Sequence, residues 1–84
     1  MLRMFVYVLK SLKDKKHYIG CAEDVDKRLG RHNCGRVKST RHRQPFVVIY
    51  KEELKDYAEA RKREAELKRM KGGETFRQLV GTRA

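Results

Sequence analysis

The chain has 84 residues, 39% hydrophobic and 39% charged, with 22 Lys+Arg against 11 Asp+Glu for a net charge of +11. That length predicts one domain, residues 1–84, with one core. No stretch approaches the roughly 18 apolar residues of a membrane span. The opening "MLRMFVYVLK" meets Lys10 early and lacks a small-residue cleavage site, which argues against a signal peptide. The expectation is a cytoplasmic protein. Its two cysteines, Cys21 and Cys34, are then read as reduced, partly buried thiols. Without a C-x-x-C pair, they make a poor zinc site even with His17, His32 or His42 nearby.

In chain order, "MFVYVLK" (4–10) alternates and is rich in β-branched and aromatic residues, so it reads as a strand. "KHYIGCA" (16–22) is a second strand, joined to the first by a turn near Leu12 to Lys15 as an antiparallel hairpin. "DVDKRLGRHN" (24–33) predicts a short helix capped by Asp24, with Val25 and Leu29 as its buried pair. "CGRVKSTRHRQP" (34–45) is a polar, basic loop. "FVVIYK" (46–51) is the most apolar run and predicts the central strand. Asp56, with Glu59 three residues on, opens a helix that reaches about Lys71 and stops at Gly72-Gly73. Phe76, Leu79 and Val80 predict a last short helix. The order β-β-α-β-α-α implies an α+β domain, a small three-stranded antiparallel sheet flanked by helices.

Charge is uneven along this order. Lys27 to Lys51 holds no Asp or Glu but carries Lys27, Arg28, Arg31, Arg36, Lys38, Arg41, Arg43 and Lys51. So much positive charge on a small domain repels itself, and a polyanion, nucleic acid first, is the usual partner. A solvated basic loop is the plainer alternative.

Other residues stand out chemically. On the long helix, at about 100° per residue, Tyr57, Ala60, Glu64 and Leu67 share one side, which sets a carboxylate in or beside the apolar stripe. Such a group needs a partner or a cation. Glu64 either sits at the edge of the seam and pairs with an arginine, or holds a divalent metal. Tyr7 and Tyr18, with ten residues between them, can meet across the hairpin, as satisfied core tyrosines or as site residues. Arg28 and His32 lie one turn apart on the first helix, where their side chains meet.

Together these residues resemble the GIY-YIG nuclease family, and within it the small single-domain UPF0213 subgroup. The second motif is literal, Tyr18-Ile19-Gly20, and the first appears as Phe5-Val6-Tyr7. "AEDVDKRLGRH" is similar to the family helix with its arginine and histidine, here Arg28 and His32. "AEARKREAELKRMKG" resembles the helix that supplies the metal-binding glutamate, here Glu64. The likeness spans about residues 4–72. It departs from the family at Phe5, in place of glycine, and at Ser39, where relatives frequently have tyrosine or another residue.

The resemblance implies an endonuclease that hydrolyses phosphodiesters, of DNA ahead of RNA, in repair or recombination, with other repair proteins as candidate partners. It implies one Mg²⁺ or Mn²⁺ on Glu64, Arg28 on the phosphate, and His32 as proton relay or phosphate ligand. Either Tyr7 or Tyr18 takes the proton from the attacking water. An unperturbed tyrosine has a pKa of about 10, so it needs cations nearby to do so. Gly20, Lys27, Arg31, Lys38, Thr40, Arg41 and Arg43 complete the set as substrate-binding residues. The alternatives are a basic nucleic-acid-binding module that does not cut, and a structural role with the basic helix as docking surface.

Overall fold

A computed structural model describes residues 3–38 and 40–81; Ser39 lies outside the described residues. The elements are β1 (Met4–Ser11), β2 (His17–Ala22), α1 (Val25–Asn33), a 3₁₀ turn (Arg41–Arg43), β3 (Phe46–Leu54), α2 (Tyr57–Met70) and α3 (Glu74–Val80). This is the expected β-β-α-β-α-α order. Both helix starts are capped as the sequence suggests. Asp24 accepts the Lys27 N–H at 3.0 Å, and Asp56 accepts the Glu59 N–H at 2.9 Å.

The sheet is antiparallel in the order β2-β1-β3, so β1 is the central strand and β3 an edge. This corrects the expectation that the apolar run at 46–51 would be central. The physical reason is coverage. Val6, Val8 and Leu9 of β1 are sealed from solvent on both faces, whereas Val47 of β3 remains 38% exposed and Lys51 and Glu53 face water. An apolar run reports burial somewhere, not strand order.

Each face of the sheet has its own cover. Val6, Val8, Ile19 and Ile49 pack against Ala60 and Leu67 of α2 and Phe76 and Val80 of α3. Tyr7, Leu9 and Phe46 pack against Val25 of α1 on the other face, with Leu29 partly buried beside them. Register puts Tyr7 opposite Gly20 and Leu9 opposite Tyr18, so both tyrosines share the α1 face, diagonal to each other.

Two polar ties brace this frame. Asn33, at the end of α1, pairs with the backbone of Phe46: its Nδ2 donates to the carbonyl at 3.0 Å and its Oδ1 accepts the N–H. The buried Ser11 hydroxyl accepts the N–H groups of Lys13 and Asp14 and donates to the Arg43 carbonyl. The first closes the two ends of the long basic loop on each other, and the second anchors the loop to the hairpin.

Candidate active site at the edge of the hairpin

A cleft of about 700 Å³ opens along the β2 edge, between α1 and the start of α2. Tyr7, Tyr18, Gly20 and Cys21 form its floor; Lys27, Arg28 and Arg31 line one side, and Tyr57, Arg61 and Glu64 the other. Strand alternation brings in the tyrosines, and helical spacing brings in Arg28 and Glu64.

Gly20 is what lets Tyr7 reach the cleft. A Cβ there would stand 2.7 Å from the Tyr7 hydroxyl oxygen, closer than real side chains come. Tyr7 is only 2% exposed. Burial, with the Tyr18 hydroxyl adding to it, pushes its pKa well above the ordinary tyrosine range, against the pull of Arg28.

His32 is sealed in the core, its ring 4.7 Å from that of Tyr18 and 5.8 Å from that of Phe46. The Thr40 hydroxyl lies 2.8 Å from His32 Nδ1 and 3.4 Å from the Val37 carbonyl, and its single proton can go to either. On the other side of the ring, Nε2 lies 3.5 Å from the Tyr7 hydroxyl. Burial first, then the charges of Arg28 and Arg31, lowers the His32 pKa and keeps the ring neutral.

Glu64 sits between buried Ala60 and Leu67 with its side chain 12% exposed. Lys68 Nζ lies 2.8 Å from its carboxylate and Arg61 Nε 3.9 Å away. Burial alone would raise its pKa; hydrogen bonds from Lys68 and the Cys21 thiol, and the charges of Lys68 and Arg61, outweigh that and hold the carboxyl below its usual range. Burial and the bond to Glu64 in turn push the Cys21 thiol up, so it stays protonated as the donor. Glu64 therefore does not lack a partner. The seam-edge ion pair is present, mainly with a lysine where an arginine was expected. That lysine, at i+4 on the same helix, was readable in the sequence. Among the described residues, no three His, Cys, Asp or Glu side chains cluster as a metal cage.

Several expected substrate contacts lie elsewhere. Thr40 is fully buried and serves His32, so it cannot meet a substrate. Arg43 is at the hairpin loop, paired with Asp14 at 2.9 Å and stacked over Phe46 at 5.5 Å. Lys38 and Arg41 are exposed but do not line the cleft. Gly20 lies in the floor, where it makes room for Tyr7. Tyr57, read from periodicity as part of the core face, is instead 57% exposed on the rim. It stands at the first residue of α2, before the apolar stripe meets the sheet.

The family model of the GIY-YIG catalytic domain matches residues 3–76. The chain belongs to the GIY-YIG family. It is 38% identical over 69 residues to a UPF0213 protein of Staphylococcus haemolyticus, covering 81% of this chain and 83% of that one. It is 42% identical over 65 residues to a UPF0213 protein of Staphylococcus aureus, covering 76% and 78%. The solution NMR structure of a UPF0213 protein from Bacillus halodurans superposes with a TM-score of 0.57 at 34% identity, over 93% of this chain and 82% of that one. The protein is thus a small GIY-YIG domain of UPF0213 type, and that domain implies nuclease activity on nucleic acid. GIY-YIG nucleases generally use divalent metal ions. No helix among the described residues is long and apolar enough to cross a membrane.

Proposed function

We propose that this protein is a metal-dependent endonuclease that hydrolyses DNA phosphodiesters as a single-domain cytoplasmic enzyme, acting in repair or recombination. The observation that carries the reading is the convergence of Tyr7, Arg28 and Glu64 on one cleft, with neutral His32 behind Tyr7. A pure binding module has no use for a proton acceptor buried behind a tyrosine.

The donor set suits a Mg²⁺ or Mn²⁺. One largely buried carboxylate, Glu64, faces a basic cleft, which matches an ion that keeps most of its waters and meets the substrate phosphate. When bound, such an ion polarises a phosphate oxygen and stabilises the departing 3′ oxygen. Glu64 would release Lys68 on taking it up.

The chain's own groups do the rest. Arg28 is in none of the ion pairs among the described residues, so its guanidinium is available to a phosphate and strengthens its hold as charge builds. Tyr7 is too hard to ionise to wait as a phenolate. It acts instead as a conduit. The attacking water gives its proton to the Tyr7 oxygen as the Tyr7 proton passes to His32 Nε2. The 3.5 Å gap is of the kind that tightens when substrate closes the site. In this relay the Thr40 hydroxyl gives its proton to the Val37 carbonyl and accepts from His32 Nδ1–H, which leaves Nε2 as the acceptor. This reading selects Tyr7 over Tyr18 as the first proton acceptor and gives His32 the relay role.

The second reading, a binding module that does not cut, is favoured by one observation: Glu64 is already neutralised by Lys68. The test is a cleavage assay with single-stranded, duplex, branched and nicked DNA and with RNA, in Mg²⁺, Mn²⁺ or EDTA, beside Glu64→Gln. Cutting that needs metal and vanishes in the variant is expected. Tight binding without cutting in any metal would establish the module.

A further inference from the structure

Tyr57 has no place in the chemistry just described, and packing does not account for it. It is 57% exposed, one of three large exposed hydrophobic side chains among the described residues with Leu12 and Val47, and of these only Tyr57 lines the cleft. Its ring is not loose. The Arg61 guanidinium lies 5.8 Å from the ring centroid, and Arg61 Nη1 donates to the Tyr57 hydroxyl at 3.1 Å. Arg61 is held in turn near Glu64. Tyr57, Arg61 and Glu64 thus form a row on one face of α2, with the ring two turns, about 10 Å, from the carboxylate.

An exposed aromatic that is pre-oriented at the rim of a cationic cleft offers little to a paired duplex, whose bases are already stacked. It offers a free π-face to a base that has left its stack. We propose that Tyr57 is a stacking platform for an unpaired nucleobase whose neighbouring phosphate is held by Arg28 across the cleft. The substrate class is then nucleic acid with a single-stranded or splayed segment, such as a flap, a gap or a free end. The inference rests on the nucleic-acid reading of the cleft. The cations supply affinity for any phosphate chain, while the ring adds discrimination for unpaired over paired strands. Because Tyr57 is exposed and neutral, its replacement leaves both the core and the net charge unchanged.

The test is equilibrium binding of the full chain in EDTA, so that it does not depend on cleavage. The probes are a short oligothymidylate strand carrying one 2-aminopurine and a blunt duplex of equal length. For Tyr57→Ala, affinity for the strand should fall about tenfold, within the range for loss of one base–aromatic stack, while duplex affinity stays unchanged. The 2-aminopurine fluorescence quenched by the parent should recover in Tyr57→Ala and stay quenched in Tyr57→Trp. Equal weakening on strand and duplex, no weakening, or a parent that does not bind the strand would overturn the proposal. If cleavage fails but the strand preference and its loss in Tyr57→Ala are seen, the platform stands and only the nuclease reading falls. If cleavage succeeds and Tyr57→Ala discriminates as the parent does, the reverse holds.

Discussion

At the loop end of the β1–β2 hairpin, polar groups satisfy one another. Ser11 takes two backbone N–H groups and reaches the Arg43 carbonyl, while Asp14 takes the Lys16 N–H and the Arg43 guanidinium. Toward the other end, Lys27, Arg28 and Arg31 line a cleft and enter no ion pair among the described residues. The same basic stretch, Lys27 to Lys51, supplies both ends. Charges that meet partners within the fold become struts, and those kept from partners remain available to a ligand. Composition cannot separate the two uses, because it counts cations without their counter-ions.

That contrast can be broken at either end. At the cleft, Arg28→Ala should lower kcat by about 10²–10³, the usual effect of losing one transition-state donor, while substrate affinity falls less than kcat. Equal losses of rate and affinity would reduce Arg28 to a phosphate anchor. Gly20→Ala forces the Tyr7 hydroxyl aside. It should cost about 1–3 kcal/mol of stability and about 10² in kcat, the scale of a misplaced reacting group, read by thermal melting and single-turnover cleavage.

At the loop end, Ser11→Ala removes a fully buried hydroxyl that joins the Lys13 and Asp14 N–H groups to the Arg43 carbonyl. It should cost about 1–3 kcal/mol with kcat unchanged; a matching loss of rate would show that the two ends are coupled. The pH profile sharpens the same distinction. Relay through His32 requires the neutral ring, and its folded pKa lies below the usual 6.5. Cleavage should therefore persist below pH 6.5 and fail only as the folded ring takes a proton. An acid limb at or above 6.5 would remove His32 from the relay. Stability follows the same sign: the unfolded chain protonates His32 near 6.5 and the folded chain resists, so the melting temperature falls as pH drops below that point and on through the folded pKa. The smallest effect is Gly30→Ala. With nothing within 4 Å of its Cβ on α1, it should raise stability by about 0.5–1 kcal/mol and leave cleavage alone.

Much of this was legible locally. The caps Asp24 and Asp56, the hairpin and the placing of Tyr7 and Tyr18 on one face follow from residue type and short-range periodicity, which the backbone enforces within a few residues. The motif Tyr18-Ile19-Gly20 with Arg28, His32 and Glu64 pointed to the family. Other features were not legible. The role of Thr40 depends on a contact with His32 across a loop, and the fate of Arg43 on Asp14 twenty-nine residues away. Tyr57 shows the limit of a helical wheel, which says which residues share a side but not where along the helix the neighbouring sheet ends.

The amino-acid sequence by itself determined the elements, the α+β order and the surplus of positive charge, because caps, turns and strand patterning act through neighbours along the chain. Only the tertiary structure decided which strand is central, which cations are spent inside the fold, which hydroxyls flank the buried histidine, and that one tyrosine stays bare at the mouth of the cleft. Each of those depends on groups far apart in sequence meeting in space, where burial and counter-charge set their chemistry.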